Sequence, residues 1–161
     1  MYTYRFRKCN PERLPTERSL IRNVYEMESG EMHSVFCGQV LALFGEPDYV
    51  TKNNEDLFSL AVCGKRGDGE EVFLEIYYGP SGPAIAGGNE WSDRTAAFQL
   101  SELIVNTNPI DYEWCSIYQD VPVKVKMGVK NGKPYYKSLS GLALLLDKLP
   151  YISKIFDKDL K

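Results

Sequence analysis

Histidine is almost missing from this chain: His33 is the only one in 161 residues. A single imidazole excludes multi-histidine metal centres and leaves any nucleophile–histidine–acid arrangement dependent on one position. Cysteine is sparse as well. Cys9, Cys37, Cys63 and Cys115 lie far apart and no two form a C-x-x-C pair, so neither a zinc knuckle nor a thioredoxin-type centre is signalled. They read as four free thiols behaving as small apolar side chains, with no disulfide and no metal or other cofactor. Long apolar runs are also lacking. The longest aliphatic stretch, Leu142–Leu146, has five residues, against the roughly 20 of a membrane-spanning helix. The opening Met-Tyr-Thr-Tyr-Arg-Phe-Arg-Lys interleaves charge with aromatics, unlike a secretory signal. These absences set the expectation of a cytoplasmic protein with no membrane attachment.

Three possible chemistries fall away on inspection. His33 and Cys37 are four apart on an expected helix and so share a face, but Cys37 belongs to the apolar stripe of Phe36, Val40 and Phe44, which favours a core cysteine over a catalytic dyad. A zinc site built from His33, Cys37, Cys63 and Cys115 needs four distant segments to converge. The glycine-rich stretch Gly79–Gly88 contains Pro80 and Pro83, which remove two backbone amides, and no Gly-Lys-Ser/Thr follows, so it reads as a turn between strands and not as a phosphate cradle. The carboxylates form no recognisable acid/base pair. The expectation is that the chain is not an enzyme.

What is present is ordinary globular composition, with 43% hydrophobic and 25% charged residues, and a length suited to one domain spanning 1–161. Residues 2–8 alternate as a strand with one wet face. Residues 17–28 fit either an extra strand or an irregular helix. Helical spacing over 31–44 (Met32, Phe36, Val40, Leu43, Phe44) ends at Gly45 and Pro47. Residues 57–64 and 71–79 flank a Gly-Asp-Gly loop and read as a hairpin, with Val72, Leu74 and Ile76 on one face and Phe73, Glu75 and Tyr77 on the other. A short strand is expected at 84–86. A helix over 93–106, capped by Ser92 or Asp93, carries Ala96, Ala97, Leu100, Leu103 and Ile104. Strands follow at 112–118 and 121–128, and Asn131-Gly132 inside 129–136 is the strongest short hairpin signal, because both residues accept the positive φ of a type I′ turn. A last helix over 140–149 and a fraying tail from 150 complete the reading. Hairpins separated by helices, without βαβ alternation, predict an α+β fold: a mostly antiparallel sheet of about five to seven strands with about three helices.

Charge is unevenly distributed. Residues 1–30 carry a net +2, residues 31–120 a net −11, and residues 121–161 a net +6. The central excess, interleaved with aromatics, predicts an acidic face for a basic protein partner, made of Asp68, Glu70, Glu71, Tyr78, Glu90, Trp91, Asp111, Glu113 and Asp120. Glu90-Trp91 is the expected anchor. Asp111 and Glu113 are two apart and share a strand face, so reversing both charges is expected to weaken binding without affecting folding. The lysines of the 124–137 hairpin read as a solvated edge, and nucleic-acid binding is not expected.

The order of segments carries a family likeness. A helix ends in Leu-Phe-Gly-Glu-Pro (43–47). A strand then runs Phe-Leu-Glu-Ile-Tyr-Tyr-Gly-Pro-Ser-Gly-Pro-Ala-Ile (73–85), followed by Asn-Pro-Ile-Asp-Tyr (108–112) and the Gly-Val-Lys-Asn-Gly-Lys hairpin (128–133). Over roughly residues 30–137 this resembles the immunity proteins of bacterial polymorphic-toxin and contact-dependent inhibition systems. The resemblance implies a small cytoplasmic protein that binds and blocks one cognate toxin domain, with no catalytic residues to carry over. The alternative reading is a small-molecule-binding or accessory α+β domain without catalysis.

Overall fold

The computed structural model describes residues 3–25, 30–50, 58–79, 82–118 and 123–139. In chain order the elements are β1 (Tyr4–Lys8), a 3-10 turn (Pro11–Arg13), β2 (Ser19–Asn23), α1 (Gly30–Phe44), β3 (Tyr49–Val50), β4 (Phe58–Arg66), β5 (Glu71–Gly79), β6 (Gly82–Gly87), α2 (Trp91–Val105), β7 (Tyr112–Tyr118), β8 (Val123–Lys130) and β9 (Lys133–Leu139). The α+β class and the antiparallel pairing are as expected, but the strands form two sheets. One runs β1-β4-β5-β6-β2 with β3 also on β4, and the other runs β7-β8-β9. Within 17–28 the undecided segment forms β2 over Ser19–Asn23, an edge strand, and residues 26–28 lie outside the described residues. The expected helix over 140–149 and the tail beyond it lie outside the described residues.

The six-stranded sheet is built around the β4–β5 hairpin. Cross-strand partners share a face, so the pairs Leu60–Ile76, Val62–Leu74 and Phe58–Tyr78 stack one apolar layer. Ile85 continues it on β6 opposite Ile76. Against this layer α2 buries Ala96, Ala97, Leu100 and Ile104, and α1 buries Phe36, Cys37 and Val40. Each large side chain in this core contributes about 1.5–3 kcal/mol.

The opposite face of the sheet is also covered. β1 and β2 sit on opposite edges, so the chain between them must cross the sheet. It does so with Arg13 stacked 4.5 Å from the Phe73 ring centroid and Arg18 Nε 3.3 Å from Glu75 Oε1. Small side chains beneath make room: Ala61, Cys63, Ala84 and Ala86 are buried. β1 and β3 share the outer edge of β4, and Asp48 seals the gap between them by accepting from the Ala61 N–H at 2.7 Å.

The second sheet exists because the chain leaves α2 and crosses α1 before pairing again. That crossing is tight. A β-carbon on Gly38 would lie 2.7 Å from Pro109 Cβ, and the Ile110 N–H donates to the Gly38 carbonyl at 3.1 Å. Ser34 Oγ then donates to the Tyr135 carbonyl at 2.7 Å, and the Tyr112 hydroxyl donates to the Ser34 carbonyl at 2.7 Å. α1 is thereby fixed between the two sheets. Trp114 closes the junction with its ring 5.7 Å from that of Phe58.

Two local expectations hold in detail. Gly45 ends α1 with φ +79, its N–H bonded to the Leu41 carbonyl at 3.0 Å. Asn131 (φ 55) and Gly132 (φ 75) make the β8–β9 turn. A third is corrected. The N-cap of α2 is Glu90, neither Ser92 nor Asp93; Asp93 sits in the first turn, where its carboxylate reaches back to accept from the Glu90 N–H at 3.0 Å.

Candidate binding surface

Of the nine residues expected to form one acidic face, seven are divided between two places. Asp68, Glu70 and Glu71 lie at the β4–β5 turn. Because β6 runs antiparallel beside β5 (Glu75 opposite Ala86), Glu90 and Trp91 emerge at the same end of the sheet. Asp111 and Glu113 lie beyond the other end of α2, whose 15 residues span about 22 Å. Tyr78 is buried at 6% exposure, with its ring 6.4 Å from that of Phe58, and belongs to the core and not to a surface. Asp120 lies outside the described residues.

Most of these carboxylates already have partners within the chain. Arg66 bonds Asp68 at 2.9 Å and 2.6 Å and also pairs with Glu70. That pairing and the backbone N–H of Glu70 hold the Asp68 carboxyl down to about 2. Glu71 pairs with Arg13 at 3.7 Å. Counting Lys65, Arg66 and Arg13 against Asp68, Glu70 and Glu71, this tip carries no net charge.

The second cluster is built into the three-stranded sheet. Asp111 accepts from the N–H groups of Asn131 at 2.8 Å and Gly132 at 3.1 Å, holding the β8–β9 turn. Glu113, Gly128 and Tyr135 form one cross-strand row. The Tyr135 hydroxyl reaches across the glycine to donate to Glu113 Oε2 at 2.8 Å. Reversing the Asp111 charge therefore disturbs a turn, contrary to the expectation of an untouched fold. On the same face the register aligns Lys126 opposite Lys137 and Lys130 opposite Lys133.

The surface that does stand open lies along α2 and β2, and its aromatic member was the expected anchor. Trp91 is 69% exposed, and Phe98, seven residues on and so on the same stripe, is 50% exposed. Leu20 on β2 is also 50% exposed. Between β2 and α2 runs a cleft of about 420 Å³, lined by Leu20, Ile21 and Arg22 on one side and Asn89, Arg94 and Phe98 on the other. Arg22 lies over the Phe98 ring, 4.8 Å from its centroid. Arg94 donates to Asn89 Oδ1 at 2.9 Å. Among the described residues neither guanidinium has a carboxylate within ion-pair distance. Nothing local in the sequence marks either arginine, because neither stands in a run of like charge and the two are 72 positions apart.

Two of the four thiols, Cys37 and Cys63, are buried as core side chains, while Cys9 is partly exposed. Cys9, Cys37 and Cys63 are free. Burial pushes the Cys37 thiol up to about 12, with a hydrogen bond to Tyr112 opposing the rise, so it is not ionised near neutral pH and makes a poor nucleophile. Burial also raises Cys63, helped by Glu71. The side chains of His33 and Cys115 lie outside the described residues. Among those described, no three His, Cys, Asp or Glu side chains converge as a metal site, and no helix is long and apolar enough to cross a membrane. No family model, curated protein or solved structure matches this chain.

Proposed function

We propose that this chain is a non-catalytic binding protein that neutralises a partner by covering it, the role of the immunity proteins that its sequence resembles. The observation that carries the reading is the exposed Trp91–Phe98 stripe of α2 beside Leu20 on an edge strand. Tryptophan is enriched where interface energy concentrates, and an indole left in water costs solvation that a partner removes. The buried and internally bonded side chains elsewhere hold this stripe in place: Ala96, Ala97, Leu100 and Ile104 fix the opposite face of α2. The proposed contact keeps the aromatic half of the expected face and replaces its acidic half with Arg22 and Arg94.

The test is co-expression with the product of the adjacent gene. Relief of its toxicity, together with a complex stable to gel filtration that Trp91→Ala weakens, is the expected result. Absence of both relief and complex refutes the proposal. The cleft volume favours one second reading, a small-molecule-binding domain. A metabolite that raises the melting temperature of the wild-type chain but not of Arg94→Ala would select that reading instead.

A further inference from the structure

We infer that the cleft between β2 and α2 receives an extended, acidic segment of the partner, laid along β2 with its carboxylates on Arg22 and Arg94. This rests on the binding reading above and gives the partner's segment a chemistry. Three observations converge. First, β2 ends its sheet, pairing only with β6 among the described residues, so one side of its backbone remains available to an extended chain. Second, both guanidiniums are held in place by groups that do not neutralise them. Phe98 supports Arg22 by its ring face, and Asn89 holds Arg94 by its amide oxygen. Contrast Arg13, Arg18 and Arg66, each of which meets a carboxylate. Third, the two acids nearest Arg94 along the helix are turned to other work. Asp93 closes on the Glu90 N–H, and Glu90 itself is the helix cap.

An arginine fork fits a carboxylate through two parallel hydrogen bonds, which an uncharged strand cannot offer. The irregular register of β2 between Leu20 and Arg22, and the charge of Arg22, discourage unselective pairing at this edge. The same features select a strand with negative side chains. Leu20 and Phe98 beside the arginines then contact the apolar residues that alternate with the acids.

The experiment pans a displayed library of random decapeptides against the immobilised full chain and, in parallel, against the double variant Arg22→Glu with Arg94→Glu. Peptides enriched on the wild type should alternate acidic and apolar residues, and synthetic copies should bind the double variant at least about tenfold more weakly. Amide resonances of Ser19–Asn23 should shift on binding. Arg22→Lys with Arg94→Lys should retain part of the affinity, which separates the arginine contact from misfolding. Enrichment without acidic bias, no enrichment at all, or acidic peptides bound equally by the double variant overturns the inference. So does a titration in which citrate shifts these amides while the peptides do not. None of these failures touches the co-expression test, so the binding reading and its refinement fail separately.

Discussion

In the three-stranded sheet the acidic side chains serve the chain itself, whereas in the β2–α2 cleft the basic ones are left available. Asp111 holds a turn and Glu113 closes a cross-strand row over a glycine. Arg22 and Arg94 rest on a ring and an amide, with no carboxylate at ion-pair distance among the described residues. The two regions show that a run of like charge in sequence does not locate a recognition surface. What matters is which charges the fold has already paired, since a paired carboxylate offers an incoming cation little more than a screened, neutralised site.

The largest effect on this contrast should come from Gly128→Val. A β-carbon there would fall on the Tyr112 carbonyl oxygen and lie 2.9 Å from the Tyr135 hydroxyl, so β7 must move or the Glu113–Tyr135 bond must break. Chemical denaturation should show a loss of about 3 kcal/mol. A loss below about 0.5 kcal/mol, the size of an ordinary surface change, would mean that the row is not tightly built. Next comes Asp111→Ala, which removes the acceptor for the Asn131 and Gly132 N–H groups. A cost of about 1 kcal/mol is expected, with faster hydrogen exchange at those two amides. Trp91→Ala should lie at the other extreme, changing stability by no more than about 0.5 kcal/mol while weakening partner binding. If instead Trp91→Ala unfolded the protein and Asp111→Ala did not, the assignment of the two regions would be reversed.

Much of the architecture was legible in local chemistry. Asn131-Gly132 dictated its turn, Gly45 its helix end, and the period-two pattern of 71–79 its inward face of Val72, Leu74 and Ile76. The division into two sheets was not legible, because it follows from Gly38 admitting Pro109 and Ile110 against α1, a contact between segments about 70 positions apart that no local pattern encodes. β2 was undecided for a related reason: an exposed edge strand with mixed polar residues carries neither period clearly. At the site, the exposure of Trp91 was readable, although the residue opens α2 and does not lie in a loop before it. Tyr78 was misread because an aromatic at the end of a strand looks alike whether it meets solvent or Phe58. Arg22 and Arg94 became a pair only once β2 was set beside α2.

The smallest predicted effect tests the neutralised tip itself. Asp68 has its carboxyl lowered from an ordinary 3.8 to about 2, first by the Arg66 guanidinium and then by the Glu70 N–H. The folded value lies below the unfolded one, so the unfolded chain binds more protons between them and stability rises with pH across that window. The contribution is complete above about pH 4 and fades as pH falls towards 2. Many other carboxylates titrate there, so the comparison must be differential. The stability gap between the wild type and Asp68→Asn should widen from pH 2 to pH 4 and then stay level. Carbon-detected titration of the Asp68 carboxyl should give a midpoint near 2 in the wild type and one moved back towards 3.8 in Arg66→Gln. The turn is exposed and screened by water and salt, so the gap should be small beside the Gly128 and Asp111 effects. A midpoint near 3.8 in the wild type would show that Arg66 does not hold Asp68 in solution. The β4–β5 tip would then regain the free acidic charge that its sequence suggests, and it would compete with the β2–α2 cleft as the place where a partner docks.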